Sequence, residues 1–100
     1  MIHPAPFHVL YHRHRVAMID DFENIDDAKA FVVYTSDYNE GFVLGIYETA
    51  TQTAWIQQYS IIAISATDLN NYIEERIEDF KSNNLPCVRI KTYEDVKEIQ

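Results

Sequence analysis

The hydrophobic and polar positions of this chain change period several times, and each change marks an element. In residues 7–18, FHVLYHRHRVAM, an extended segment would put Phe7, Val9 and Tyr11 on one side and His8, Leu10, His12 and His14 on the other. β-Branched and aromatic residues favour the extended form, so a first strand is predicted over 7–18. The following segment, FENIDDAKAFVVYTS, changes to helical spacing, with Ile25, Ala28, Phe31, Val32 and Thr35 on one stripe. Asn24 supplies a cap and Asp27 completes a capping-box-like pair, which predicts a helix from about 25 to 35. Residues 31–35, FVVYT, also fit a strand by composition, and the cap favours the helix.

After a loop at Asp37 to Gly41, FVLGIYE and TAWIQQYS read as two strands of a hairpin joined by Thr49-Ala50-Thr51-Gln52. IIAIS extends the apolar run. ATDLNNYIEERIEDFK then carries Leu69, Tyr72, Ile73, Ile77 and Phe80 on one stripe with acids opposite, a second helix ending near Lys81 to Asn84. Pro86 prevents simple continuation, CVRIKT alternates like a strand, and Thr92 with Asp95 could cap a short final helix through Ile99.

This order predicts an α+β fold: a single-domain, two-layer sandwich over residues 1–100, with an antiparallel sheet and two helices on one face. The arrangement is the βαββαβ ferredoxin-like order with a short C-terminal helix appended. A chain of this length buries roughly 60 to 70% of its unfolded surface and makes one core. Its 47% apolar residues are enough to supply that core.

With both helices on one face, the other sheet face is open to a ligand or a second subunit. It is predicted to gather His8, His12, His14, Val43, Tyr47, Trp55, Gln57 and Tyr59. Rings with polar handles suit interfaces, which makes a homodimer the expected assembly, with a further protein partner conceivable. The plainer alternative places Trp55 and its neighbours in an ordinary core under the C-terminal strand and helix.

Charge narrows the partners. Sixteen acidic against eight basic residues give a net charge of −8, which works against phosphate backbones and anionic lipid, so neither nucleic acid nor membrane is expected. EGFVLGIY, residues 40–47, faintly echoes an RNA-recognition pattern, but Glu40 stands where a base is required. No stretch approaches the ~18 apolar residues of a membrane helix and MIHPAPFH lacks a leader's pattern, so a cytoplasmic location is expected.

The chemistry available is thin. His12-Arg13-His14 has the H-x-H spacing by which a strand could offer two imidazoles to zinc, with His8 as a third. Unliganded histidines at an interface would instead make association depend on pH between about 5 and 8. Cys87 is the only cysteine, which excludes an internal disulfide, and its neighbours suggest a small buried residue. With glycine only at positions 41 and 45, neither phosphate-cradling nor dinucleotide loops can form, and Ser36, Ser60, Ser65 and Ser82 lack a nucleophile's context. No catalytic residue and no cofactor are therefore assigned.

The expected function is a small acidic, non-enzymatic binding or regulatory module. A metal-assisted or acid–base enzyme centred on His8, His12 and His14 is the alternative. A third reading uses Glu74, Glu75, Glu78 and Asp79 on the second helix as an acidic inhibitory face for a basic partner.

Overall fold

A computed structural model of the chain describes residues 5–37, 41–57 and 66–93. Among these residues the elements run β1 (Phe7–Arg13), β2 (Val16–Phe22), α1 (Ile25–Asp37), β3 (Phe42–Glu48), β4 (Thr53–Gln57), α2 (Ala66–Ser82) and β5 (Arg89–Tyr93). The result is an α+β domain with one five-stranded mixed sheet, ordered β2-β1-β3-β4-β5, and two helices.

The predicted first strand is two strands. Residues 7–18 fold back at His14-Arg15, so that Arg13 pairs with Val16 and the register runs back to Phe7 opposite Phe22. Both turn residues have positive φ, 53° and 66°, the backbone of a two-residue hairpin turn whose twist matches that of its strands. Asn-Gly is the usual dipeptide there. His and Arg store strain instead, and replacing His14-Arg15 by Asn-Gly is expected to raise stability by about 1 kcal/mol, measured by urea denaturation. An unchanged or lower midpoint would show that the turn is not strained.

Helix α1 forms as its cap predicts. The Asp27 amide donates to Asn24 Oδ1 at 2.9 Å, while Asn24 Nδ2 donates to Asp27 Oδ2 at 3.1 Å. The helix carries FVVYT with it, since Ala28, Val32 and Thr35 are buried and Ile25 and Phe31 pack beside them. Tertiary burial of the 3.6-residue stripe outweighs the weak strand preference of those residues.

The ferredoxin-like order and the two-layer arrangement are not what the chain adopts. Val9 and Tyr11 pack with Ala28 and Val32 of α1, whereas Leu10, between them, packs with Phe80 and the α2 residues Tyr72, Ile73 and Ile77. Successive strand residues point to opposite faces, so the helices cover opposite faces of the sheet. β5 then runs parallel to β4, with Thr53 opposite Arg89, because α2 crosses over between the two strands. β5 also occupies Thr92, the position read as a helix cap, and the predicted final helix beyond Tyr93 lies outside the described residues.

A β-bulge in β3 fixes which side chains share a face. Leu10 is opposite Gly45 and Tyr11 is opposite Val43, so Leu44 is the extra residue. Val43 and Ile46 consequently face α1, while Leu44 and Tyr47 face α2. Simple alternation would have put Val43 and Tyr47 together, and the bulge separates them.

Candidate functional site

The residues expected on one open face are dispersed. His8, His12 and Tyr47 belong to the α2 side, as the β1 alternation and the pairing of His8 with Tyr47 require. Trp55 is opposite Ile46 on the α1 side, half-buried beside the α1 cluster, with the Lys91 ammonium 5.9 Å from its ring. Gln57 is buried at the end of β4, and Tyr59 lies outside the described residues. His14 sits in the exposed hairpin turn, so the H-x-H pair is not presented by a strand. Among the described residues, no three His, Cys, Asp or Glu side chains converge as a metal site.

The structure builds a smaller constellation around His8 alone. The hairpin register places Asp21 opposite His8 on one side and the β1–β3 register places Tyr47 opposite it on the other. The Asp21 carboxylate lies 2.6 Å from His8 Nδ1, and Thr49 Oγ1, in the turn after β3, lies 2.7 Å from Nε2. A carboxylate only accepts, so Nδ1 carries a proton. In the neutral form of the ring Nε2 is then the nitrogen that accepts from the Thr49 hydroxyl. The His8 side chain is 15% exposed and that of Asp21 60% exposed. The order carboxylate, imidazole, hydroxyl is that of an orienting group, a base and the nucleophile the base serves.

The backbone around Thr49 is fixed independently of its hydroxyl. Its amide donates to the Pro6 carbonyl at 2.9 Å, and its carbonyl accepts from the Gln52 amide at 3.3 Å. The Gln52 carbonyl in turn accepts from the amides of Val88 and Arg89, tying the turn to the start of β5. The neighbouring hydroxyl of Thr51 is engaged elsewhere, 3.1 Å from Glu48 Oε1 and 2.7 Å from the Thr53 hydroxyl.

On the inner side of His8 the groups are protonated and inert. The Tyr47 hydroxyl donates to the Pro86 carbonyl at 2.6 Å, and burial, reinforced by nearby Cys87, pushes its pKa up. Burial likewise raises the Cys87 thiol, only partly offset by Lys81, and Sγ donates to the Leu85 carbonyl at 3.2 Å. Cys87 is a packing residue, since a raised pKa withholds the thiolate needed for chemistry.

Two surfaces complete the inventory. Glu74, Glu75 and Glu78 are exposed on α2 beside a shallow depression, but Arg76 sits among them, 2.8 Å from Asp79 and 3.6 Å from Glu75. The cation neutralises part of the acidic face on which a basic partner would have to dock. The second is β2, which forms an edge of the sheet among the described residues and leaves Val16 57%, Met18 36% and Ile19 38% exposed.

Sequence reading singled out His8 and missed Asp21 and Thr49. Asp21 could have been found from a two-residue turn at His14-Arg15, because that turn alone sets it opposite His8. Thr49 carried no such signal. Comparison of the chain with protein-family models, with curated proteins and with solved structures gave no match in any of the three. No helix among the described residues is long and apolar enough to cross a membrane.

Proposed function

We propose that this protein is a small binding module that works through the free β2 edge, and that the partner on that edge is a second copy of the chain. The observation that carries this reading is the exposure of Val16, Met18 and Ile19 on a strand whose outer side has no neighbouring strand among the described residues. An edge strand presents a row of backbone donors and acceptors ready to pair, and native proteins ordinarily blunt it with Lys, Pro or a bulge. VAMIDDF has no Lys, Pro or bulge, and its two charges, Asp20 and Asp21, lie together towards one end and leave Val16 to Ile19 uncharged. Helices pack on both sheet faces, which favours the edge for self-association over the His, Tyr and Trp face expected from the sequence.

Charge complementarity selects a second copy. The β2 hairpin is basic at its turn, with Arg13 and Arg15, and acidic at its far end, with Asp20, Asp21 and Glu23. Antiparallel pairing about a two-fold axis at Ile19 sets Ile19 against itself, Val16 against Phe22 and Arg15 against Glu23. Ile19 and the Val16–Phe22 pairs then meet apolar to apolar and Arg15 meets Glu23 at both ends, while Ala17 and Met18 lie opposite Asp21 and Asp20; each favourable pair contributes about 0.2–1 kcal/mol. The pairing uses main-chain groups, so Asp21 keeps its place beside His8.

Sedimentation velocity across a dilution series tests the reading. The wild type is expected to sediment as a dimer that dissociates on dilution, and Ile19→Lys as a monomer with an unchanged circular-dichroism spectrum. Arg15→Glu and Glu23→Arg are each expected to weaken the dimer by about tenfold, and the combined charge swap to restore it. A wild type that is monomeric at every concentration, or a dimer indifferent to Ile19→Lys, sinks the proposal.

A further inference from the structure

We infer that Thr49 is an acyl-accepting nucleophile, with His8 as its general base and Asp21 as the residue that positions the base. The reactive atoms are already in place, with Oγ1 2.7 Å from Nε2 and Nδ1 2.6 Å from the carboxylate, both within the hydrogen-bond reach that activation of a hydroxyl requires. Strand register produces this arrangement, because β1 is the strand shared by both pairings and carries the imidazole between the carboxylate of β2 and the turn after β3.

A purely structural bond between His8 and Thr49 would be redundant. Backbone hydrogen bonds to Pro6 and from Gln52 already fix the turn, as the Gln52 carbonyl does through Val88 and Arg89. Those bonds hold the Thr49 backbone still while its side chain remains exposed, the combination that lets a nucleophile be both oriented and approached. Ala50, also exposed, follows it, and the amide after the nucleophile is where nucleophile-elbow enzymes donate to the oxyanion. Of the hydroxyls in this turn, Thr51 is bonded to Glu48 and Thr53, and Thr49 is the one paired with an imidazole.

The substrate class is a small activated carboxylic ester, since Thr49 and the adjoining Ala50 and Thr51 are exposed and leave room for a carbonyl at the hydroxyl. Thr49 Oγ1 bonds to the carbonyl carbon, and its proton passes to His8 Nε2. The ester C–O bond breaks, and the leaving oxygen departs as the anion or takes the proton back from Nε2. Asp21 remains ionised throughout and holds the Nδ1 proton, which fixes the tautomer and the ring plane. The products are an O-acylated Thr49 and the free alcohol, with no oxidant or second cofactor involved.

Incubating the full chain with p-nitrophenyl acetate tests this directly, by following p-nitrophenolate release and locating the acetyl group by peptide mass spectrometry. One acetyl group per chain is expected on Thr49. Thr49→Ser should retain it and Thr49→Val, a change confined to an exposed turn, should abolish it without altering the melting temperature. His8→Gln is expected to slow labelling of Thr49 by about 100-fold, and Asp21→Asn by about tenfold or more at unchanged thermal stability. The inference is overturned if no acetyl group appears on Thr49, if Thr49→Val releases p-nitrophenolate as fast as the wild type, or if His8→Gln labels Thr49 at the wild-type rate.

Discussion

Gly45→Ala is expected to cost about 3 kcal/mol of stability, a large part of the total for a chain of this size. The position lies next to the extra residue of the β3 bulge, opposite Ile56 on β4 and Leu10 on β1. A Cβ built there would run into the Trp55 carbonyl oxygen and approach Phe80 Cζ to 2.9 Å. The ring could move, but the carbonyl belongs to the neighbouring strand and moves only if β3 and β4 separate. Combining Gly45→Ala with Phe80→Leu should therefore recover only the part due to the ring, about 1 kcal/mol below the sum of the single costs. Urea denaturation of the four proteins measures it. A Gly45→Ala chain within 1 kcal/mol of the wild type would mean that the sheet spreads freely at the bulge.

That bulge also explains why the faces of the sheet were only partly legible in the sequence. Strict alternation groups Val43 with Tyr47, and one inserted residue at Leu44 puts them on opposite sides. Nothing in FVLGIYE announces an insertion except the glycine, whose role depends on a neighbouring carbonyl that is distant in sequence. The first hairpin was hidden for a related reason, since HRHRV contains no Gly, Asn, Asp or Pro to mark a turn. By contrast, α1 was legible through its Asn24–Asp27 cap and α2 through its apolar stripe, because both signals are local.

The candidate site divides along the same line. His8 stood out as one of three histidines at even spacing, but that spacing grouped it with His12 and His14, while the fold groups it with Asp21 and Thr49. Even spacing describes a face only while the strand continues. The turn at His14 ends the strand and supplies, through its register, the carboxylate that spacing could not. The same turn creates the exposed β2 edge, so one unmarked reversal of the chain determines both surfaces on which function is proposed.

Phe80→Ala carries the other large expected effect, about 4 kcal/mol, because it removes a fully buried ring from the centre of the α2 cluster. Phe80 packs with Leu10, Leu44, Ile56 and Leu85, and its ring centroid is 6.3 Å from that of Tyr47. Among the described residues, the other side chains of the helix in this cluster, Tyr72, Ile73 and Ile77, are only partly buried. The Tyr72 hydroxyl donates to the Gln57 carbonyl at 2.6 Å, worth about 1 kcal/mol net, and the Arg76–Asp79 pair lies within α2 itself. Tyr47→Phe offers the matched control, since it keeps the ring and removes only the hydrogen bond to Pro86, for a loss of about 1–2 kcal/mol. Trp55 belongs to the opposite layer and α2 contributes much of the helical signal, so fluorescence and far-ultraviolet circular dichroism report on different sides of the sheet. In a cooperative fold both signals should shift together in urea for Phe80→Ala, with coincident midpoints well below those of Tyr47→Phe. If the helical signal were lost first while Trp55 emission stayed native, α2 would be a detachable layer, and the parallel pairing of β4 with β5 would not depend on it.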